Sequence, residues 1–258
     1  MIGAIIGDII GSTYEFDRTK DKNFEMYTRH SHFTDDTVLT IATADVLMNG
    51  GDYAETYRAY AKWYPAVGYG KKFAEWAIGD DPAPYNSWGN GSAMRVSPVA
   101  FAFNSLDDVL NEAKKSAEVT HNHPEGIKGA QAAACVTYLA RKKKDKAFIR
   151  TYIQDLFDYD LKRTCDEIRP TYKFEVSCAK SVPESIICFL EAESFEETIR
   201  LCVSMGGDAD TMAAIAGPMA QVYYDDIDPD HIAKMAKYLE PDMFKTVFDF
   251  INWCSEKK

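Results

Sequence analysis

Apolar residues recur along this chain at the spacing of helix faces, not at the alternating spacing of strands. Leu106, Val109, Leu110, Ala113 and Ala117 form one such stripe, and Ile149, Tyr152, Ile153 and Leu156 form another. The same periodicity predicts helices over about 37–48, 53–63, 125–142, 183–192, 195–205, 211–224, 230–239 and 242–254. Start signals agree: Ser105 stands before Leu106, Pro124 and Glu125 open an alanine-rich helix, and Pro229 with Asp230 open a late one. The expected fold class is all-α, a many-helix domain covering 1–258.

Two stretches break the pattern. From Pro65 to Pro98, Gly68, Gly70, Gly79, Pro82, Pro84, Gly89 and Gly91 are interleaved with Tyr69, Trp76, Tyr85 and Trp88, which predicts a shaped loop surface. Asp160 to Lys180, with Pro170 inside it, reads as a connection or a lid. The basic run Arg141 to Lys144 falls at an expected helix C-terminus, where cations complement the helix dipole, and reads as a solvated end.

Composition narrows the class. With 258 residues of which 46% are apolar, the chain can bury one sizeable core. A net charge of −11 repels nucleic acid and anionic lipid, so neither is an expected partner, although bound cations can reverse the field locally. No apolar run approaches the length of a membrane span. The first residues carry no basic cluster before Arg18, unlike a signal peptide, and the expected compartment is the cytosol. Six cysteines without C-x-x-C spacing read as buried reduced thiols. No interface stripe stands out, so a monomer is expected.

The chemistry concentrates in a few short segments. Phe33-Thr34-Asp35-Asp36-Thr37 runs directly into the apolar helix carrying Val38, Leu39 and Ala42. Taken singly, it is a helix cap. A second acid-rich helix start, Gly206-Gly207-Asp208-Ala209-Asp210-Thr211, has the same composition far along the chain. Carboxylates and hydroxyls are the ligands that Mg²⁺, Mn²⁺ and Ca²⁺ prefer, and two such starts converging in space could hold two cations. Asn86-Ser87-Trp88-Gly89-Asn90-Gly91-Ser92-Ala93-Met94-Arg95, expected to open a helix from Met94 to Ala102, is neither a Walker loop nor a dinucleotide fingerprint. Its backbone N–H groups could hold phosphate, or it could be an ordinary glycine turn. His121 and His123 lack the partners of a zinc site and read as polar wall.

Together these segments resemble the ADP-ribosylglycohydrolase family. The resemblance rests on Gly7-Asp8-Ile9-Ile10-Gly11 through Glu15, Phe33 to Thr37, Gly89 to Arg95, Thr120-His121 and Gly206 to Thr211, with weaker support from Tyr64 to Gly70, Ser181 to Glu184 and Phe195 to Glu197. It implies a compact all-α fold around a central binuclear cleft holding two Mg²⁺ or Mn²⁺ ions. Thr34, Asp35 and Asp36 would ligate from one side, and Asp208, Asp210 and Thr211 from the other. The ions would hold the ribose diol, and Glu15 would be the acid/base carboxylate, with Asp35 and Asp36 also counted among the catalytic groups. Gly89, Asn90, Gly91 and Ser92 would cradle a diphosphate, His121 would line the cleft, and Tyr69 would stack on adenine or ribose. The implied activity is hydrolysis of the bond joining ADP-ribose to a modified target: an ADP-ribosylated protein side chain, arginine before serine, or a small ADP-ribose conjugate. The rival readings are a catalytically dead ADP-ribose binder, a binuclear-metal hydrolase of a small ADP-ribose derivative or nucleotide, and a helical scaffold whose acid-rich starts are only caps.

Overall fold

The computed structural model describes residues 1–257, and these form fifteen α-helices. The first half contains α1 (Ile2–Gly11), α2 (Asp35–Asn49), α3 (Tyr53–Trp63), α4 (Lys71–Ile78), α5 (Gly91–Met94), α6 (Ser97–Ala102) and α7 (Leu106–Glu118). The second contains α8 (Pro124–Arg141), α9 (Lys146–Phe157), α10 (Cys165–Ile168), α11 (Cys178–Glu191), α12 (Phe195–Ser204), α13 (Ala209–Tyr224), α14 (Pro229–Tyr238) and α15 (Pro241–Glu256). Among the described residues the single strand-like pairing is an antiparallel bridge between Gly89 and Ser177. The all-α expectation holds.

Most starts are set by side-chain caps that accept from otherwise unpaired N–H groups. Asp52 caps α3, Ser105 caps α7, Asp145 caps α9 and Ser194 caps α12. At the centre lies α13, buried on every face from Ala209 to Ala220, with α1, α8, α11 and α12 packed around it. A helix apolar all round belongs inside a core, and this one carries the second acid-rich start into the middle of the molecule.

The closest packing is between α1 and α13, and glycine makes it possible. A Cβ on Gly3 would stand 2.4 Å from the Gly217 carbonyl oxygen, one on Gly7 2.4 Å from that of Ala213, and one on Gly11 2.4 Å from the Asp210 Cα. One backbone therefore lies directly on the other. The consequence is positional: Asp8, and Glu15 just beyond the helix, are brought against the Asp208–Thr211 turn.

Several local expectations need correction. The glycine-spaced N-terminal segment, which is not among the helices marked by periodicity, is a full helix, because tertiary contact outweighs the poor helix propensity of glycine. The stretch 65–98 is not loop throughout, since α4, α5 and the start of α6 lie in it. The helix expected from Met94 to Ala102 is two helices interrupted at Arg95 and Val96, with Pro98 in the first turn of the second. The helix expected from 183 starts at Cys178 and runs through Pro183. Arg141 is not merely solvated, because it donates to the Phe101 and Phe103 carbonyls at the end of α6. Lys143 likewise donates to Val222 and Tyr223 at the end of α13, so part of the basic run serves the C-termini of other helices. Cys135, Cys165, Cys178, Cys188 and Cys202 are buried, and among the described residues no helix is long and apolar enough to cross a membrane.

Candidate active site

Asp8 lies in an apolar run yet is fully buried. Its carboxylate accepts from the Thr34 N–H at 2.9 Å, the Thr34 hydroxyl at 2.7 Å, the Thr37 N–H at 3.1 Å and the Thr37 hydroxyl at 2.5 Å. These bonds fasten the start of α2 to the middle of α1. Thr34 also caps α2, accepting from the Asp36 N–H at 3.3 Å. The capping reading of this segment is realised, and the cap directs Asp36 toward the other acids.

Two groups of carboxylates then meet. Oxygens of Asp8, Asp36 and Asp210 lie within 4.8 Å of one another, as do oxygens of Glu15, Asp208 and Asp210. Asp210 belongs to both. The Thr211 hydroxyl stands 3.3 Å from Asp36 Oδ2, which joins the acid-rich starts of α2 and α13 directly. Asp35 is outside either trio. It is half-buried, its N–H donating to the Val67 carbonyl at 2.8 Å and its Oδ1 beside Gly68.

So much buried negative charge is costly unless a cation or protons offset it. Burial, reinforced by Asp8 and Asp208, pushes Asp35 up to about 8. Burial, then Asp208 and Asp8, push Glu15 up to about 7. Asp36 and Asp210 are driven well above the carboxylate range by burial and then by neighbouring acids, and burial raises Asp8 and Asp208. Asp36 Oδ1 is buried with no hydrogen-bond partner. An orphaned carboxylate oxygen facing other carboxylates, with hydroxyls nearby, fits a hard divalent cation.

The residues expected to hold substrate divide by role. Gly89 and Gly91 line a turn that faces His121: a Cβ on Gly91 would stand 3.2 Å from its Nε2, and one on Gly89 3.7 Å. Asn90 turns toward the acids, its amide donating to Asp208 Oδ2 at 2.7 Å. The Ser92 hydroxyl donates to the Gly126 carbonyl at 2.7 Å, so it fixes the turn against α8. His121 is buried, and burial followed by the nearby Arg95 holds its pKa well below the usual histidine value. The Tyr69 ring stacks on Phe73 with centroids 5.1 Å apart, while its hydroxyl is buried and unpaired near Asp35. The Asp8 contribution was missed as a site residue, although an acid inside Ile5-Ile6-Gly7-Asp8-Ile9-Ile10 is itself a signal that the buried face has polar work.

A family model described as ADP-ribosylglycohydrolase matches residues 1–249. The chain belongs to that family. Among similar ADP-ribosylglycohydrolase relatives, the human (Homo sapiens) ADP-ribosylhydrolase ARH3 is 26% identical, with 87% of this chain and 84% of that protein covered. The ADP-ribosylarginine hydrolase Tri1 of Pseudomonas putida (strain GB-1) is 25% identical over 92% of this chain and 73% of its own. The ADP-ribosyl-(dinitrogen reductase) glycohydrolase of Rhodospirillum rubrum is 25% identical over 95% and 92%. A solved structure titled as an ADP-ribosylglycohydrolase-related protein complex superposes with a TM-score of 0.73 at 23% identity, covering 96% of this chain and 95% of that one. The structural likeness establishes the fold. Family membership makes this protein an ADP-ribosyl glycohydrolase, a hydrolase of a glycosidic bond.

Proposed function

We propose that this enzyme uses two divalent cations, Mg²⁺ or Mn²⁺, to hydrolyse the bond between ADP-ribose and an ADP-ribosylated protein side chain, arginine in preference to serine. The observation that carries the reading is the position of Asp210, shared by two carboxylate trios of which one includes Glu15. Thr34, Asp35, Asp36, Asp208, Asp210 and Thr211 would hold the cations, which when bound supply Lewis acidity toward the ribose hydroxyls and fix the sugar.

The chain's own groups do the rest. Cleavage at an anomeric carbon passes through an oxocarbenium-like transition state, so a carboxylate beside the sugar and an oriented water are the required tools. Glu15 is the most open of the clustered acids and titrates near neutrality, so its carboxylate can accept the proton of the attacking water and return one to the leaving nitrogen. Asn90 holds Asp208, and Asp8 holds Thr34, so neither ligand must reorganise as charge develops. The Gly91 and Ser92 N–H groups would be offered to the diphosphate, those of Gly89 and Asn90 being taken by the Ser87 hydroxyl and the Val176 carbonyl, and Tyr69 offers a ring face.

Arginine is preferred because its guanidinium is a cation entering an acidic cleft on a chain of net charge −11. The buried thiols suit a reducing compartment, and we assign the enzyme to the cytosol, acting as a monomer. The direct test incubates the protein with peptides ADP-ribosylated on arginine or on serine, with Mg²⁺, with Mn²⁺ and with chelator, and measures free ADP-ribose by mass spectrometry. Cation-dependent release from the arginine peptide is expected. Release of phosphate or AMP, or tight ADP-ribose binding without release from either peptide, would overturn the reading.

A further inference from the structure

Arg95 is fully buried, and neither the cation ligands nor the acid/base group uses it. Its Nη2 donates to the Ser116 carbonyl at 2.9 Å and to the Thr120 hydroxyl oxygen at 2.8 Å, and its guanidinium carbon lies 4.2 Å from the centroid of the Tyr57 ring. Thr120 Oγ1 in turn lies 2.7 Å from His121 Nδ1. The far side of that imidazole, Nε2, faces Gly89 and Gly91. A buried cation is thus connected through one hydroxyl to the ring at the Gly89–Gly91 turn.

The direction of the hydrogen bonds follows from what each group can do. A guanidinium only donates, so the Thr120 oxygen accepts from Arg95. Accepting from a cation polarises the hydroxyl and strengthens its own proton as a donor. Nδ1 stands where that proton can go, and a neutral imidazole that accepts at Nδ1 carries its hydrogen at Nε2. In the opposite arrangement Nδ1 would hold the hydrogen and Thr120 would turn its proton to the nearby Tyr85 hydroxyl. That leaves Nε2 an acceptor beside the Gly91 and Ser92 N–H groups, whereas an anion held there, with the Gly89 and Asn90 N–H groups already donating to Ser87 Oγ and the Val176 carbonyl, needs a further donor.

We propose that Arg95 and Thr120 are positioning residues that fix His121 in the tautomer protonated on Nε2, so that the ring presents an N–H donor to an anionic oxygen held over the Gly89–Gly91 turn. The identity of that anion, a diphosphate of ADP-ribose, rests on the function proposed above, whereas the tautomer is a property of the free protein. Burial and the Arg95 charge both disfavour a second proton on the ring, consistent with a donor that stays neutral.

The test is long-range proton–nitrogen NMR of the ligand-free, ¹⁵N-histidine-labelled protein near neutral pH, with the His121 signals assigned by their loss in His121→Asn. The expected spectrum has a protonated Nε2 and an unprotonated Nδ1. Thr120→Val should move the ring to a mixture or to Nδ1–H and weaken ADP-ribose binding by about tenfold, as expected for losing one hydrogen bond to a charged group. Divalent-cation affinity should stay unchanged, which separates a positioning role from general damage, and Thr120→Ser should restore both spectrum and binding. Nδ1–H in the wild type, which needs no variant to fold, overturns the proposal, as does a Thr120→Val protein that keeps both Nε2–H and wild-type binding. An Nε2–H spectrum in a protein that binds no ADP-ribose supports the tautomer and sinks the functional reading instead.

Discussion

At the residue scale, Asp210 carries opposed demands. Burial and then Asp208, Asp36, Glu15 and Asp8 all push its carboxyl upward, so the ionised form is tolerated only with a compensating cation. Asp210→Asn should therefore reduce turnover by at least about 10²-fold, as loss of a shared ligand misplaces both halves of the site, while raising the melting temperature of the cation-free protein at alkaline pH by removing a repelling charge. Calorimetry without added cation reads the second effect, and a lower melting temperature would contradict the assignment of repulsion. Asp35→Ala and Asp36→Ala should lose activity similarly with the fold retained. Glu15→Gln should cost about 10²–10⁴ in kcat, the range of one general acid/base group, and should remove from the pH–rate profile whatever step near 7 belongs to Glu15. The acids of the 34–37 and 208–211 segments were legible in the sequence because two similar helix starts are improbable as mere caps. Asp8 was not, because it has no acidic neighbour and its partners, Thr34 and Thr37, are distant along the chain. Ser92 shows the converse: its place in a motif suggested a ligand contact, but its hydroxyl goes to Gly126.

At the element scale, the site depends on how closely α1 can approach α13. Helix periodicity identified α13 readily, since its apolar residues continue around the whole cylinder, but α1 was hidden by the very glycines that define its packing. Propensity is a local quantity, while the reason for Gly3, Gly7 and Gly11 lies on another helix. Gly7→Ala would place a methyl group 2.4 Å from the Ala213 carbonyl oxygen, so the helices must separate. Overpacking of this kind typically costs about 1–3 kcal/mol, and here it should also shift Asp8 away from Asp36 and Asp210. The expected result is a lower melting temperature together with weaker Mn²⁺ binding by titration calorimetry. Gly70→Ala is the control, because a Cβ there meets nothing within 4 Å and the residue stands at the start of α4 away from this contact. Equal Mn²⁺ affinity in wild type and Gly7→Ala would show that the glycine contact does not set the site. The start of α11 at Cys178 was also illegible, since the residue before it, Ser177, is held by the bridge to Gly89, far away in sequence.

At the scale of the whole molecule, the clustered acids link stability to pH and to cations. The folded-state values of Asp8, Glu15, Asp35, Asp36, Asp208 and Asp210 are all raised, so the folded protein binds protons more tightly than the unfolded chain. Stability of the cation-free protein is then present below the ordinary carboxylate range and lost as pH rises from about 4; for Glu15 and Asp35 the loss continues to about 7 and about 8. A divalent cation binds the deprotonated carboxylates and must displace those protons, so its affinity rises over the same interval. A ligand that binds only the folded state stabilises it by RT ln(1 + [L]/Kd). The gain in melting temperature from a fixed excess of Mg²⁺ or Mn²⁺ should therefore be small in mildly acidic buffer and large in mildly alkaline buffer, with chelator returning the protein to its lower curve. Calcium should be accommodated less well if the site matches the smaller, octahedral cations. A cation shift that is the same at both pH values would mean that the carboxylates are already ionised without metal, and the repulsion inferred from their burial would have to be carried by some other group.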